Sequence, residues 1–117
     1  EVKLVVKYIK RRKKPTAAVT ELKASNENGR MKLTWANPPT KAFVGTYVVR
    51  NRFRPPRSPY DGVKLYAGSD NYTYDSFGSS KISKYYAAFS YDDVPNYSEP
   101  QVIHYEAHQS TAEKSSN

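Results

Sequence analysis

The stretch Met31-Lys32-Leu33-Thr34-Trp35-Ala36-Asn37-Pro38-Pro39 alternates apolar and polar residues and then stops. Side chains on a strand point to opposite faces in turn, so Met31, Leu33 and Trp35 share one face and make its buried side. Pro38 and Pro39 end the strand, because proline has no N–H to give to a ladder. Trp35 is the only tryptophan in the 117 residues and the largest single candidate for burial. The expectation is one small β-sandwich built around it.

Neighbouring segments extend the pattern. Residues 18–25 read as a first core strand with Val19, Leu22 and Ala24 buried, and Asn26-Glu27-Asn28-Gly29 as the turn into the tryptophan strand at 30–35. Residues 45–54 read as a third strand, with Tyr47, Val49, Asn51 and Phe53 on one face and Val48, Arg50, Arg52 and Arg54 on the other. Arg54-Pro55-Pro56-Arg57-Ser58-Pro59 is an ordered or extended loop, since no sheet centre accepts its three prolines. Strands are expected at 63–67, 72–75, 82–91 and 97–105. No window sustains a capped helical period. Seven short strands punctuated by turns describe an antiparallel Greek-key sandwich, all-β, of the immunoglobulin-like kind.

Upstream, Val2, Leu4, Val6 and Tyr8 alternate with Lys3 and Lys7, which predicts an extra N-terminal strand over residues 2–9, packed on this domain or on a neighbour. Lys10-Arg11-Arg12-Lys13-Lys14 then reads as a solvated basic linker closed by Pro15. The expected organisation is a strand and linker at 1–14, one domain at 15–106 and a frayed polar tail at 107–117.

Bulk composition excludes several functions. There is no cysteine, hence no disulfide and no thiolate nucleophile or ligand. No apolar run approaches the ~20 residues of a membrane-spanning helix. Residues 1–9 are charged at alternate positions, unlike a signal peptide. The net charge is +8, but residues 1–15 hold seven Lys/Arg against one Glu, and the rest hold twelve against ten acids. The basic balance therefore belongs to the leader more than to the fold, which weakens the case for nucleic acid as a partner.

Several segments carry a family resemblance. Pro15…Val19…Leu22…Ala24, Gly29…Leu33-Thr34-Trp35…Pro38, Tyr47-Val48-Val49, Tyr85-Tyr86-Ala87-Ala88-Phe89-Ser90-Tyr91-Asp92 and Asn96-Tyr97-Ser98-Glu99-Pro100 together resemble a fibronectin type III domain from about Pro15 to Tyr105. Phe43-Val44-Gly45, Ser58-Pro59-Tyr60-Asp61-Gly62 and Tyr85-Tyr86-Ala87-Ala88-Phe89 look like its bacterial and phage branch. The resemblance implies a non-enzymatic structural, spacer or adhesion module of a larger extracellular bacterial or phage-tail protein. Its place would be outside the cell, on the cell surface or in a virion tail, with neighbouring domains or subunits as partners. One position departs from the family. The tyrosine that usually opens the sixth strand and bonds back to the corner backbone is replaced by Lys84, with Tyr85 beside it. Two inward faces stay open for that strand: Tyr86, Ala88 and Ser90, or Tyr85, Ala87, Phe89 and Tyr91, since a one-residue slip exchanges them.

No catalytic set is evident, and no cofactor or metal is expected. His104 and His108 lie in a strand-to-tail segment, Asp92-Asp93 supplies too few oxygens for Ca²⁺ and reads as a turn, and no glycine-rich phosphate loop occurs. Asn71-Tyr72-Thr73 and Asn96-Tyr97-Ser98 match the glycan-acceptor pattern, which matters only in a eukaryotic secretory cell. Pro56-Arg57-Ser58-Pro59 is a minimal PxxP element without the flanking basic residue that orients one. Arg50, Arg52 and Arg54, spaced by about 6.6 Å along one strand face and extended by Arg57, form a candidate row for an acidic polymer: a cell-surface glycan, a phosphate polymer or nucleic acid. The plainer account of that row is a solvated outer face with acidic cross-strand partners. Among eleven tyrosines, Tyr60, Tyr72, Tyr74 and Tyr97 sit nearest loops, and Tyr60 and Tyr97 join the arginines as candidate contacts. A further alternative is an accessory domain of a glycan-degrading enzyme.

Overall fold

The computed structural model describes residues 17–76 and 79–107. They form seven strands: β1 (Thr20–Glu27), β2 (Arg30–Ala36), β3 (Gly45–Asn51), β4 (Val63–Gly68), β5 (Tyr72–Asp75), β6 (Lys84–Tyr91) and β7 (Gln101–Tyr105). The expected strand over residues 2–9, the basic linker and the tail beyond residue 107 lie outside the described residues. All pairings are antiparallel, in one sheet ordered β1-β2-β5 and another ordered β4-β3-β6-β7. The chain changes sheet between β2 and β3, between β4 and β5 and again between β5 and β6, which makes the expected Greek-key sandwich.

The tryptophan strand behaves as its pattern requires. Met31, Leu33 and Trp35 are buried and the intervening residues are half-exposed. Val19, Leu22 and these three pack from one side against Val48, Tyr86 and Ala88 from the other. Each such side chain contributes about 1.5–3 kcal/mol when fully withdrawn from water. Trp35 is 4% exposed, and its ring meets Tyr66 at 5.8 Å. The β1–β2 turn is tighter than expected: β1 runs to Glu27, and only Asn28 (φ 53°) and Gly29 (φ 86°) lie between the strands. Two successive left-handed residues suit the right-handed twist of a two-residue hairpin, which is why Asn-Gly is found there. Glu21 (φ 55°) sits where the β1–β2 register shifts between Thr20 and Lys23.

β6 resolves the face left open by the sequence. Tyr86 and Ala88 enter the core between the sheets, so the first of the two open faces is the inward one. Ala87 and Phe89 are buried as well, on the opposite face. Pattern alone could not separate the two faces because both are covered. The corner before β6 is also built differently. Lys84 is only 3% exposed, and its ammonium donates to the Ser79 carbonyl five residues upstream. Tyr105 on β7 donates its hydroxyl to the adjacent Ser80 carbonyl at 2.9 Å. A lysine and a tyrosine from another strand thus hold the corner carbonyls, where the resemblance implies one tyrosine.

The strands give the sandwich two poles. Thr20, Ala36, Gly45, Gly68 and Tyr91 lie at one; Asn51, Val63, Asp75, Lys84 and Tyr105 lie at the other. β1 therefore starts at the first pole and β7 ends at the second.

Candidate functional site

Arg50, Arg52, Arg54 and Arg57 do not form a row. β3 ends at Asn51 rather than at residue 54, so the alternation stops after Arg50. Arg50 shares the inward face with Val48, and its Nη1 donates to Asp75 Oδ1 of the opposite sheet at 2.6 Å. Asp75 is 1% exposed, and Tyr86 donates its hydroxyl to the other oxygen, Oδ2, at 2.9 Å. A carboxylate this deep needs both partners, since a buried unpaired charge costs several kcal/mol. Burial first, and then the Asp75 charge and hydrogen bond, push the Tyr86 phenol far above its ordinary value. Arg50 thus has the acidic partner that the plainer account of the row expects, but on an inward face rather than a solvated outer one, and which face turns inward is not readable from alternation.

Arg54 and Arg57 belong instead to the loop between β3 and β4. Asn51 and Asp61 clamp its neck. Asn51 Nδ2 donates to the Asp61 carbonyl at 3.0 Å, and Asn51 Oδ1 accepts from the Phe53 and Arg54 amides at 2.9 and 3.2 Å. The Asp61 carboxylate accepts from the Arg57 amide at 3.1 Å and from the Arg54 guanidinium. The Arg57 amide is the main cause that holds this carboxyl below the ordinary range; the Arg54 guanidinium adds to it, against a contribution from burial. Gly62 (φ 142°) closes the loop, and a Cβ there would collide with the Arg50 carbonyl. Within the loop, Pro56 and Pro59 are buried.

The same loop delivers Tyr60 to a cluster of aromatic rings. Tyr60 lies 6.0 Å from Tyr47 on β3 and 6.2 Å from Tyr97, which stands 6.1 Å from Tyr47 and 5.8 Å from Tyr91. All four contacts are edge-to-face, the favoured geometry for ring quadrupoles. The Tyr60 and Tyr97 hydroxyls meet at 3.3 Å, and the Lys64 ammonium sits 5.4 Å above the Tyr47 ring. Tyr60 is 70% exposed, so the cluster ends in a wet, flat, amphipathic face. Burial, followed by the Tyr60 hydrogen bond, pushes Tyr97 up to about 12. The two candidate tyrosines are thereby brought together. Tyr47 and Tyr91 were missed as partners; their signal was the cross-strand placement of Gly45 opposite Tyr91, which needs the β3–β6 register. Tyr97 itself lies before β7, which starts at Gln101 rather than at residue 97, and forms an isolated bridge with Tyr91.

At the second pole, Arg50, Arg52 and Lys84 face a cavity of about 390 Å³ whose apolar wall includes Phe53, Val63 and Ile82. Burial lowers the Lys84 ammonium pKa most; Asp75 offsets part of this, and the Arg50 and Arg52 charges lower it further.

Other candidates resolve simply. Tyr72 and Tyr74 meet edge-to-face on the three-stranded sheet, where the Arg30 guanidinium lies 3.8 Å from the Tyr74 ring centroid. His104 stacks on Tyr85 at 4.3 Å, and His108 lies outside the described residues. Asp92 builds a turn, accepting from the Val94 amide at 3.1 Å and from the Asn96 amide at 2.6 Å. Among the described residues, no group of three or more His, Cys, Asp or Glu side chains is placed to hold a metal ion. Nor is any helix among them long and apolar enough to cross a membrane.

No protein-family model matches the sequence, and no curated protein matches it at a significant level. In structure the chain is similar to the spore cortex lytic enzyme SleM of Clostridium perfringens, with a TM-score of 0.63 and 12% sequence identity. The similarity covers 79% of this chain but 28% of SleM, so the chain spans under a third of that protein's length. At this identity the likeness speaks to the fold alone.

Proposed function

We propose that this chain is a non-enzymatic module, fibronectin type III in kind, that presents the Tyr47–Tyr60–Tyr91–Tyr97 surface to a glycan as part of a larger extracellular bacterial or phage protein. The observation that carries this reading is the tyrosine cluster, which ends in a ring 70% exposed and is held in place by a clamped loop. A sugar ring has one face of polarised C–H bonds and a rim of hydroxyls. The ring face of Tyr60 suits the first, and the paired phenols and Lys64 suit the second. Tyrosine also gives contact area at low entropic cost. The strand order and the tryptophan on β2 support the family assignment.

A second reading narrows the first. An accessory domain of a glycan-degrading protein, with the catalytic centre on another domain, is compatible with the similarity to part of a spore cortex lytic enzyme. Both readings are tested by cosedimentation with insoluble bacterial cell wall, chitin and cellulose. The chain is expected to pellet with at least one polymer. Tyr60→Ala should weaken retention about tenfold, the loss of one aromatic anchor, with an unchanged melting temperature. Failure to pellet, or full retention by Tyr60→Ala, overturns the binding role. Hydrolysis of any of these polymers by the purified chain overturns the non-enzymatic one.

A further inference from the structure

The pole opposite the start of β1 carries a second site that the tyrosine surface does not use. Three cations, Arg50, Arg52 and Lys84, border one cavity of about 390 Å³. The nearby carboxylate, Asp75, is already engaged by Arg50 and by the Tyr86 hydroxyl. Arg52 makes no ion pair among the described residues. Lys84 is the unusual member. It is 3% exposed, and its ammonium donates to the Ser79 carbonyl and lies 5.1 Å from the Tyr105 ring centroid, with no carboxylate within salt-bridge range among the described residues. An ammonium has three donors, the Ser79 carbonyl takes one of them, and the residue also lines the cavity. Burying this charge is costly, Asp75 offsets part of the cost, and an anion in the cavity would offset more.

The rest of the wall is apolar and open. Phe53 is 79% exposed, and Val63 and Ile82 also present large surface to solvent. The Arg52 guanidinium lies 5.6 Å from the Phe53 ring centroid, so the aromatic face and the charge are adjacent. Pockets of a few hundred Å³ with an apolar wall and a few convergent polar groups are the usual shape of small-ligand sites.

We propose that this cavity binds an oxyanion, carboxylate or phosphate, carried on an apolar group: the anion is received by Lys84 and Arg52, with Arg50 behind, and the apolar part rests on Phe53, Val63 and Ile82. Arg50 is partly neutralised by Asp75, so it sets the local field more than it grips the ligand. Arg52 has the freedom to close on an oxyanion with a two-pronged contact. The site stands independently of the tyrosine surface and of any glycan bound there.

The test is an NMR titration of the full chain with phenylacetate, phenyl phosphate and benzyl alcohol, followed through the amides of residues 50–53, 63, 82 and 84. At least one of the two anions is expected to shift these resonances in a saturable way, while benzyl alcohol does not. Phenylacetate against phenyl phosphate separates the two oxyanion sources. Arg52→Gln, an exposed position that leaves the fold intact, should weaken the anion about tenfold, the equivalent of one charge-assisted contact. Lys84→Met should abolish binding, with the far amides of Tyr60 and Tyr97 reporting that the fold is retained. The proposal is overturned if neither anion shifts the cavity amides, if benzyl alcohol shifts them equally, or if Arg52→Gln binds as the parent does. Loss of glycan retention in Tyr60→Ala with anion binding unchanged would leave this site standing alone.

Discussion

Asn37 does more than follow the tryptophan strand. Its Oδ1 accepts from the Trp35 indole at 2.8 Å and from the Thr46 hydroxyl at 2.7 Å. Its Nδ2 donates to the Ser69 and Asp70 carbonyls, each at 3.2 Å. One amide thus ties the end of β2, the start of β3 and the β4–β5 turn. Asn37→Ala leaves the indole N–H and a buried hydroxyl without an acceptor, and is expected to cost about 1–3 kcal/mol, measured by urea denaturation. At the same scale, Tyr97 should ionise at about 12 in an ultraviolet titration. Its folded pKa is raised, so its contribution to stability is complete below the ordinary phenol value of about 10 and is lost as pH rises through the folded one. Tyr97→Phe should remove this late step from the titration.

Among the elements, the β3–β4 loop is held by one carboxylate, and this makes it acid-sensitive. The Asp61 pKa is depressed, first by the Arg57 amide. Its stabilising effect is therefore complete above the unfolded value of about 3.9 and disappears as pH falls through the lower folded value. Limited proteolysis within residues 52–62 should accelerate below that point, and Asp61→Asn should show faster cleavage already at neutral pH. Gly62→Ala should open the same loop at every pH, because the residue is left-handed and its Cβ would strike the Arg50 carbonyl. The sequence made the loop legible through Pro55, Pro56 and Pro59, and the strands through Met31, Leu33 and Trp35. What stayed hidden followed from long-range packing. β6 has two buried faces, so Tyr85-Tyr86-Ala87-Ala88 carries no period that names the inner one. Arg50 looked like its exposed neighbours because its partner, Asp75, is 25 residues away on another sheet. Tyr60 and Tyr97 were legible as loop tyrosines, but their meeting depended on a 37-residue closure.

For the whole molecule, stability rests on the core shared by the two sheets, and Trp35 is its largest side chain. Trp35→Ala is expected to cost about 3–5 kcal/mol, a large share of the ~5–15 kcal/mol net stability typical of a domain; a marked fall in the midpoint of the cooperative thermal transition in circular dichroism would report it. Tyr60→Ala, in contrast, touches the same sandwich without entering that core and should leave the transition in place. Placement of the first strand's start and the last strand's end at opposite poles has a mechanical consequence. Tension applied between those ends runs along the strands, so the ladder bonds of β1 with β2 and of β6 with β7 share the load together rather than parting one after another. A molecule stretched this way resists as a sheared joint, and it would yield at much lower force if pulled instead across its strands, from β1 to β5.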